Sequence, residues 1–366
     1  MEAKKQTDGK PLRQGYTTGA CATAVTKAAL TALITGIPQT EATIYLPIKQ
    51  FATFQMESCE WLDGAVKTST IKDAGDDPDA THGALIEATV SFQPEGITLD
   101  GGVGVGRVTK PGLPVSVGEA AINPVPRKMI LQVVEDVLTE HGIKTGVAVI
   151  ISVPRGEEMA EKTLNGRLGI IGGISILGTR GTVVPFSTSA YMASIVQAIS
   201  VARASNCEHV VITTGGRSEK YAMKQYPHLP EEAFIEMGDF VGFTLKQCKK
   251  QGVKKVSMVG MMGKFSKVAQ GVMMVHSKSA PVSLTFLSEV ASQSGASDSL
   301  VEEIKEANTA SQAAEIMAGN ASFFTKLCTY CNQSALNEVK GDLTIETTLY
   351  TMKGEQLGKA MVESGD

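Results

Sequence analysis

From Lys144 onward the chain keeps returning to one pattern: a short apolar run, a turn, then a helical stretch. The runs are GVAVIISVP (146–154), HVVITT (209–214) and KKVSMVG (254–260). The first is continuously apolar, as expected of a strand buried on both faces. Helical stretches are expected near 157–164, 187–204 and 238–250, with another after 264. Strands joined through helices form a mostly parallel sheet with helices on both faces. Residues 144–366 are therefore expected to be an α/β, Rossmann-like domain. PVSLTF (281–286) is a further apolar run, 288–339 reads as a helical C-terminal region, and 345–352 as a closing strand.

Residues 1–143 read differently, as an α+β domain. A helix is expected over 19–35: Thr17 or Thr18 can cap it, Gly36 suits the position after its end, and Pro38 blocks continuation. Strands are expected at 41–46, 51–57, 59–62, 65–71, 84–92 and 103–108, with Asp63-Gly64 as a hairpin turn. Asn123-Pro124-Val125-Pro126 opens a second helix running to His141.

Charge and composition remove several classes. Lys plus Arg is 34 against 38 Asp plus Glu, a net charge of −4, and aromatics are 5%. Neither a basic face nor a stacking platform for nucleic acid is expected. No apolar run nears the ~18 residues of a membrane helix, and residues 1–15 lack the apolar core of a secretory signal. The 6 cysteines are scattered, which fits free thiols in the cytoplasm.

Two turns stand out. Thr213-Thr214-Gly215-Gly216-Arg217 and Gly260-Met261-Met262-Gly263 each follow a buried strand and open a helix. Ligands of open parallel sheets bind beyond the carboxyl ends of the strands, where glycine lets backbone approach them. A nucleotide-like cofactor is expected there. Named phosphate motifs fail: in GMMGKFS, Lys264 is followed by Phe265, and Met258 stands where a P-loop has its first glycine. Gly102-Val103-Gly104-Val105-Gly106 is not a dinucleotide fingerprint, and no ribose-binding acid stands out after a first strand.

The loop from Lys72 to Gly83 gathers four aspartates and His82. Such a set can do acid–base work, or its aspartates can cap local turns. Cys328-Thr329-Tyr330-Cys331 has no second pair with which to hold zinc and reads as two buried thiols on a helix. No protein-bound metal is expected.

Six blocks together resemble the CbiD family of cobalt-precorrin-5B C1-methyltransferases. They are Gly15–Ala22, the Lys72–Gly83 loop, Val108–Leu113, Ala121–Arg127, Gly172–Thr179 and Thr214–Glu219. The resemblance implies S-adenosylmethionine as methyl donor and a cobalt-containing, polycarboxylated tetrapyrrole as acceptor. On that reading the donor lies at Thr213–Arg217 and Gly260–Gly263, with Met261 and Met262 as apolar wall. Substrate carboxylates meet the helix start at Tyr16, Thr17, Thr18 and Gly19, with Lys110, Asn123 and Arg127. His82, Asp76 or Asp77 manages a proton. The alternatives are a non-catalytic corrinoid carrier and a dinucleotide-dependent oxidoreductase.

Overall fold

The computed structural model describes residues 11–276 and 280–363. Contacts divide the chain into two units, 1–188 and 189–366.

In the first unit the long helix Thr18–Thr35 is the centre of the core. Thr17 caps it, its side chain accepting from Ala20 N, and Gly36 ends it at φ +69°, returning its N–H to Ala32 O. This helix is long and apolar enough to span a membrane by composition, yet most of it is buried inside the unit. It packs on strands Ala65–Ile71 and Leu85–Gln93 and on the helix Pro124–Glu140, which starts on its proline as expected. The five-stranded sheet runs, edge to edge, Ser58–Leu62, Ala65–Ile71, Leu85–Gln93, Gly146–Ser152, Ile97–Gly101. Gly64, at φ +69°, makes the turn of the first hairpin. Glu41–Leu46 and Gln50–Gln55 form a separate ribbon.

Three expectations change here. The division falls after residue 188 and not after 143, because Gly146–Ser152 is an inner strand of the first sheet. It pairs antiparallel with Leu85–Gln93 and parallel with Ile97–Gly101. Nor is that strand covered on both faces: Val147, Val149 and Ile151 are buried, whereas Ile150 is 41% exposed. Its continuous apolar run hides a one-sided strand. The strand expected at 103–108 is two short pieces, Gly104–Val105 and Arg107–Val108.

The second unit holds one mixed sheet, in the order Phe234–Glu236, His209–Thr213, Lys255–Met261, Thr344–Tyr350, Gln356–Val362. The first four strands are parallel, and the last runs antiparallel to Thr344–Tyr350. Helices Gly216–Gln225, Met262–Val268 and Ala321–Val339 are among those that pack on it, and Val241–Lys250 packs on Ala321–Val339. PVSLTF is not a strand: Ser283 caps a helix, Leu284–Gln293, by accepting from Phe286 N. A capping serine inside an apolar run turned it helical. The closing strand 356–362 was not expected, since its alternation carries a Lys and a Gln on a short segment.

From His209–Thr213 the chain moves to one edge at Phe234–Glu236. It then crosses back over its first strand to Lys255–Met261. The order reverses between 209–213 and 255–261, which is where open sheets of this kind leave a crevice at the strand ends.

Candidate functional site

The two glycine segments flank that reversal point; the second is no separate turn, since strand Lys255–Met261 passes directly into helix Met262–Val268. Strand His209–Thr213 ends in Thr214-Gly215, and strand Lys255–Met261 ends beside it, Thr213 in register with Val259. Lys264 links the two, its Nζ lying 3.4 Å from Thr214 O and 3.0 Å from Asp239 Oδ1. Gly215 sits at φ +155°, ψ 171°, a region essentially closed to residues with a β-carbon. That conformation lets Ser218 fold back: its Oγ donates to Gly215 O at 2.8 Å and accepts from Thr214 N at 3.2 Å. No side chain caps the helix Gly216–Gln225. Gly216 and Gly263 are exposed, and a β-carbon on either would meet no atom within 4 Å. At the end of the strand Thr213 is fully buried, and its Oγ1 has no hydrogen-bond partner. An orphaned hydroxyl of this kind costs about 1–3 kcal/mol.

The nine rim residues expected to touch a cofactor do not share one environment. Thr214, Gly215, Gly216, Arg217, Met261 and Gly263 reach the surface. Gly260 does not, and it is small for another reason. A β-carbon there would lie 2.0 Å from the Phe265 ring, so this glycine makes room for a core aromatic. Met262 is 3% exposed and belongs to the core, which corrects its reading as a cofactor wall. Arg217 reaches along the rim to Met352 Sδ at 3.6 Å.

Sequence reasoning missed an acid here. Glu236 ends the edge strand Phe234–Glu236 in register with Thr213, and its Oε1 lies 3.8 Å from where a Gly215 β-carbon would stand. The signal was hidden because the strand is only three residues long.

In the first unit, Tyr16-Thr17-Thr18-Gly19, expected to meet substrate carboxylates, forms a junction with other segments of the unit. Tyr16 N donates to Asp73 O, Thr17 N to Gly181 O, and Gly19 N to Leu177 O. Thr18 Oγ1 takes Leu177 N at 2.9 Å. The Tyr16 ring also packs at a tilt against Phe54, with centroids 4.6 Å apart. The amides of Tyr16, Thr17 and Gly19 are bonded within the unit, and Thr17 and Thr18 are buried.

The 72–83 loop is built around an ion pair. Lys72, 1% exposed, donates to Asp79 Oδ2 at 2.7 Å. Asp79 Oδ1 accepts from both the amide and the hydroxyl of Thr81. Burial opposes ionisation of Asp79, but the Lys72 ammonium and these bonds outweigh it and hold the carboxyl below its usual range. Arg13 grips Asp73 and holds that carboxyl down at about 2. Asp76 Oδ2 accepts from Arg13 N at 2.6 Å, and Asp77 Oδ1 from Phe186 N at 2.9 Å. Each of these two aspartates, expected as acid–base groups, fastens a backbone amide through one carboxylate oxygen. His82 Nδ1 accepts from Ala74 N at 3.1 Å, and its side chain is 54% exposed. Accepting there puts the proton of the neutral ring on Nε2.

Arg127 and Lys128 line a cleft of about 470 Å³ together with Glu119 and Glu135 and with Pro114, Val115, Ile122 and Leu131. Asn123 is the residue before the helix Pro124–Glu140, but its side chain makes no cap bond. Lys110 lies across Gly169, whose β-carbon would strike its stem. Cys328 and Cys331 are buried on helix Ala321–Val339, and burial pushes the Cys328 thiol up to about 12. Among the described residues no three His, Cys, Asp or Glu converge as a metal would need.

Comparison with known proteins gives the family. A family model described as CbiD matches residues 5–185, and one described as CbiD, C-terminal domain, matches residues 274–361. A protein of Geobacillus sp. (strain WCH70) named cobalt-precorrin-5B C(1)-methyltransferase is 71% identical, covering 99% of this chain and 98% of its own length. One of the same name from Priestia megaterium is 70% identical over 96% of this chain and 97% of its own. A crystal structure of the cobalamin biosynthesis protein cbiD from Archaeoglobus fulgidus matches at 30% identity and a TM-score of 0.38, covering 69% of this chain and 78% of that one. The names of both relatives state methyl transfer, and neither carriage nor redox chemistry.

Proposed function

The chain belongs to the CbiD family, and we propose that it transfers a methyl group to C1 of cobalt-precorrin-5B, giving cobalt-precorrin-6A, from S-adenosylmethionine bound at the glycine segments of the second unit. The observation that carries the donor site is the pairing of Gly215, open backbone at Gly216 and the orphaned Thr213 hydroxyl at the reversal point of the sheet. We read this sheet, with its four parallel strands, as Rossmann-like. Thr214, Gly215, Gly216, Arg217 and Gly263 would hold the donor, and Met261 would give it an apolar neighbour.

When bound, the sulfonium supplies an electrophilic methyl carbon and leaves as a neutral thioether. The work left to the protein is placement: reacting atoms held in line at about 3–3.5 Å, where orientation can contribute about 7–11 kcal/mol. Gly215 and Gly216 serve it by bringing rigid backbone against the ligand, with no side chain to reorder. The acceptor carries many carboxylates, and in the first unit Arg127, Lys128 and Lys110 are the cations we assign to them. A forked guanidinium fixes a carboxylate in direction as well as in place. Asn123, at the start of the Arg127 helix, contributes its amide to the same surface. His82, with its proton on Nε2, acts as a hydrogen-bond donor to the macrocycle rather than as a base. The absence of a disulfide among the six cysteines suits a cytoplasmic setting.

The donor site is tested with Gly216→Val and Gly263→Val, whose new side chains enter open space and leave the fold intact. Calorimetry with S-adenosylhomocysteine should show affinity lost at least tenfold in both. Unchanged affinity in the two variants would remove the site.

A further inference from the structure

We propose that Glu236 accepts hydrogen bonds from the ribose hydroxyls of the ligand at the glycine turn, so that the site selects a nucleoside with an intact diol and no phosphate. This rests on the donor site proposed above and assigns its ribose subsite. Four observations converge on it. Glu236 is the last residue of the strand next to His209–Thr213, on the side away from the reversal point. It is exposed, and its carboxylate lies over Gly215, 3.8 Å from the position of an added β-carbon. Backbone brought to the ligand by Gly215 therefore brings it within reach of Glu236. Thr213, the register partner of Glu236, has a buried hydroxyl with no partner. The backbone behind Glu236 is fixed: Tyr191 OH donates to Glu236 O at 3.4 Å, its ring lies against Gly238, and it stacks on Phe240 at 5.5 Å.

The chemistry follows from the carboxylate. Ionised, it only accepts, and its two oxygens suit two vicinal hydroxyl donors. The same charge beside the start of helix Gly216–Gln225 works against a phosphate, which that helix end would otherwise favour. Lys264 does not reverse this, since its ammonium is paired with Asp239. The class of ligand is thus a nucleoside bearing an uncharged or cationic 5′ group.

The test uses the full chain and calorimetry with S-adenosylhomocysteine and its 2′-deoxy and 3′-deoxy forms, and with adenosine against AMP. The parent should bind the diol form about ten- to a hundredfold more tightly than either deoxy form, the range of a hydrogen bond to a charged group. In Glu236→Ala, matched to the parent in thermal unfolding, that discrimination should fall to within about threefold, with Glu236→Gln between. Full discrimination in Glu236→Ala would overturn the ribose assignment and leave the glycine turn standing. AMP binding as tightly as adenosine would overturn the phosphate-free class. A parent that binds no S-adenosylhomocysteine would overturn the donor site and the assignment with it.

Discussion

Removing the carboxylate of Asp79 should be among the most damaging single changes in the first unit, although no catalytic role is assigned to it. Lys72 is 1% exposed, and its ammonium donates to Asp79 Oδ2 at 2.7 Å. Asp79→Ala leaves that charge buried and unanswered, and it frees the amide and hydroxyl of Thr81 as well. Breaking a buried pair from one side costs about 3–5 kcal/mol. At about 2–4 °C per kcal/mol for a unit of this size, the melting temperature should fall by about 6–20 °C. The acid limb carries the sign. The folded carboxyl titrates below its unfolded value, so its contribution is present above that unfolded value and is lost as pH falls through the folded one. Scanning calorimetry of the parent should show stability falling from about pH 5 downward, with a shallower fall in Asp79→Asn. Replacing the pair together, as Lys72→Met with Asp79→Leu, should recover most of the loss, since apolar isosteres avoid the desolvation penalty. A loss in Asp79→Ala below about 1 kcal/mol at neutral pH, or a double variant no better than the single one, would refute this account.

Two further outcomes follow from packing and burial in the second unit. Gly260→Ala should cost about 1–3 kcal/mol by overpacking against Phe265; chemical denaturation should show Phe265→Leu relieving the cost in the same background, and additive losses would contradict the contact. His209 is held neutral mainly by burial and secondly by Lys255, its pKa lowered to about 4, with Glu346 opposing and His228 and Lys359 adding to the shift. Its Nε2 lies 2.8 Å from Ser257 Oγ. Its contribution is therefore complete above about pH 6.5 and lost as pH falls toward 4, on the order of 1–3 kcal/mol; His209→Gln should flatten melting temperature against pH across that window, and an unchanged slope would assign it to other groups.

Local chemistry was enough for much of this protein. Thr17, Gly36, Pro124 and Asp63-Gly64 fix the ends of their elements through caps and turn geometry, which act over three or four residues. The resemblance of six ordered blocks gave the family, and with it the reaction. The strand-to-helix passages after residues 213 and 260 were also legible, because a strand followed by a helix leaves its own pattern in the chain, although the second passes from Met261 to Met262 with no turn between. What the pattern could not contain was pairing between distant segments. GVAVIISVP reads the same in a parallel α/β sheet and in the first unit's sheet, and only its partners at 85–93 and 97–101 chose between them. Partners likewise gave Gly260 to Phe265, closed the helix start at Thr17–Gly19 with the 175–181 segment, and put Glu236 over Gly215. Hydrogen bonding within a turn is a property of neighbours in sequence. Burial, the satisfaction of donors and the charge around a site belong to whatever the rest of the chain brings alongside.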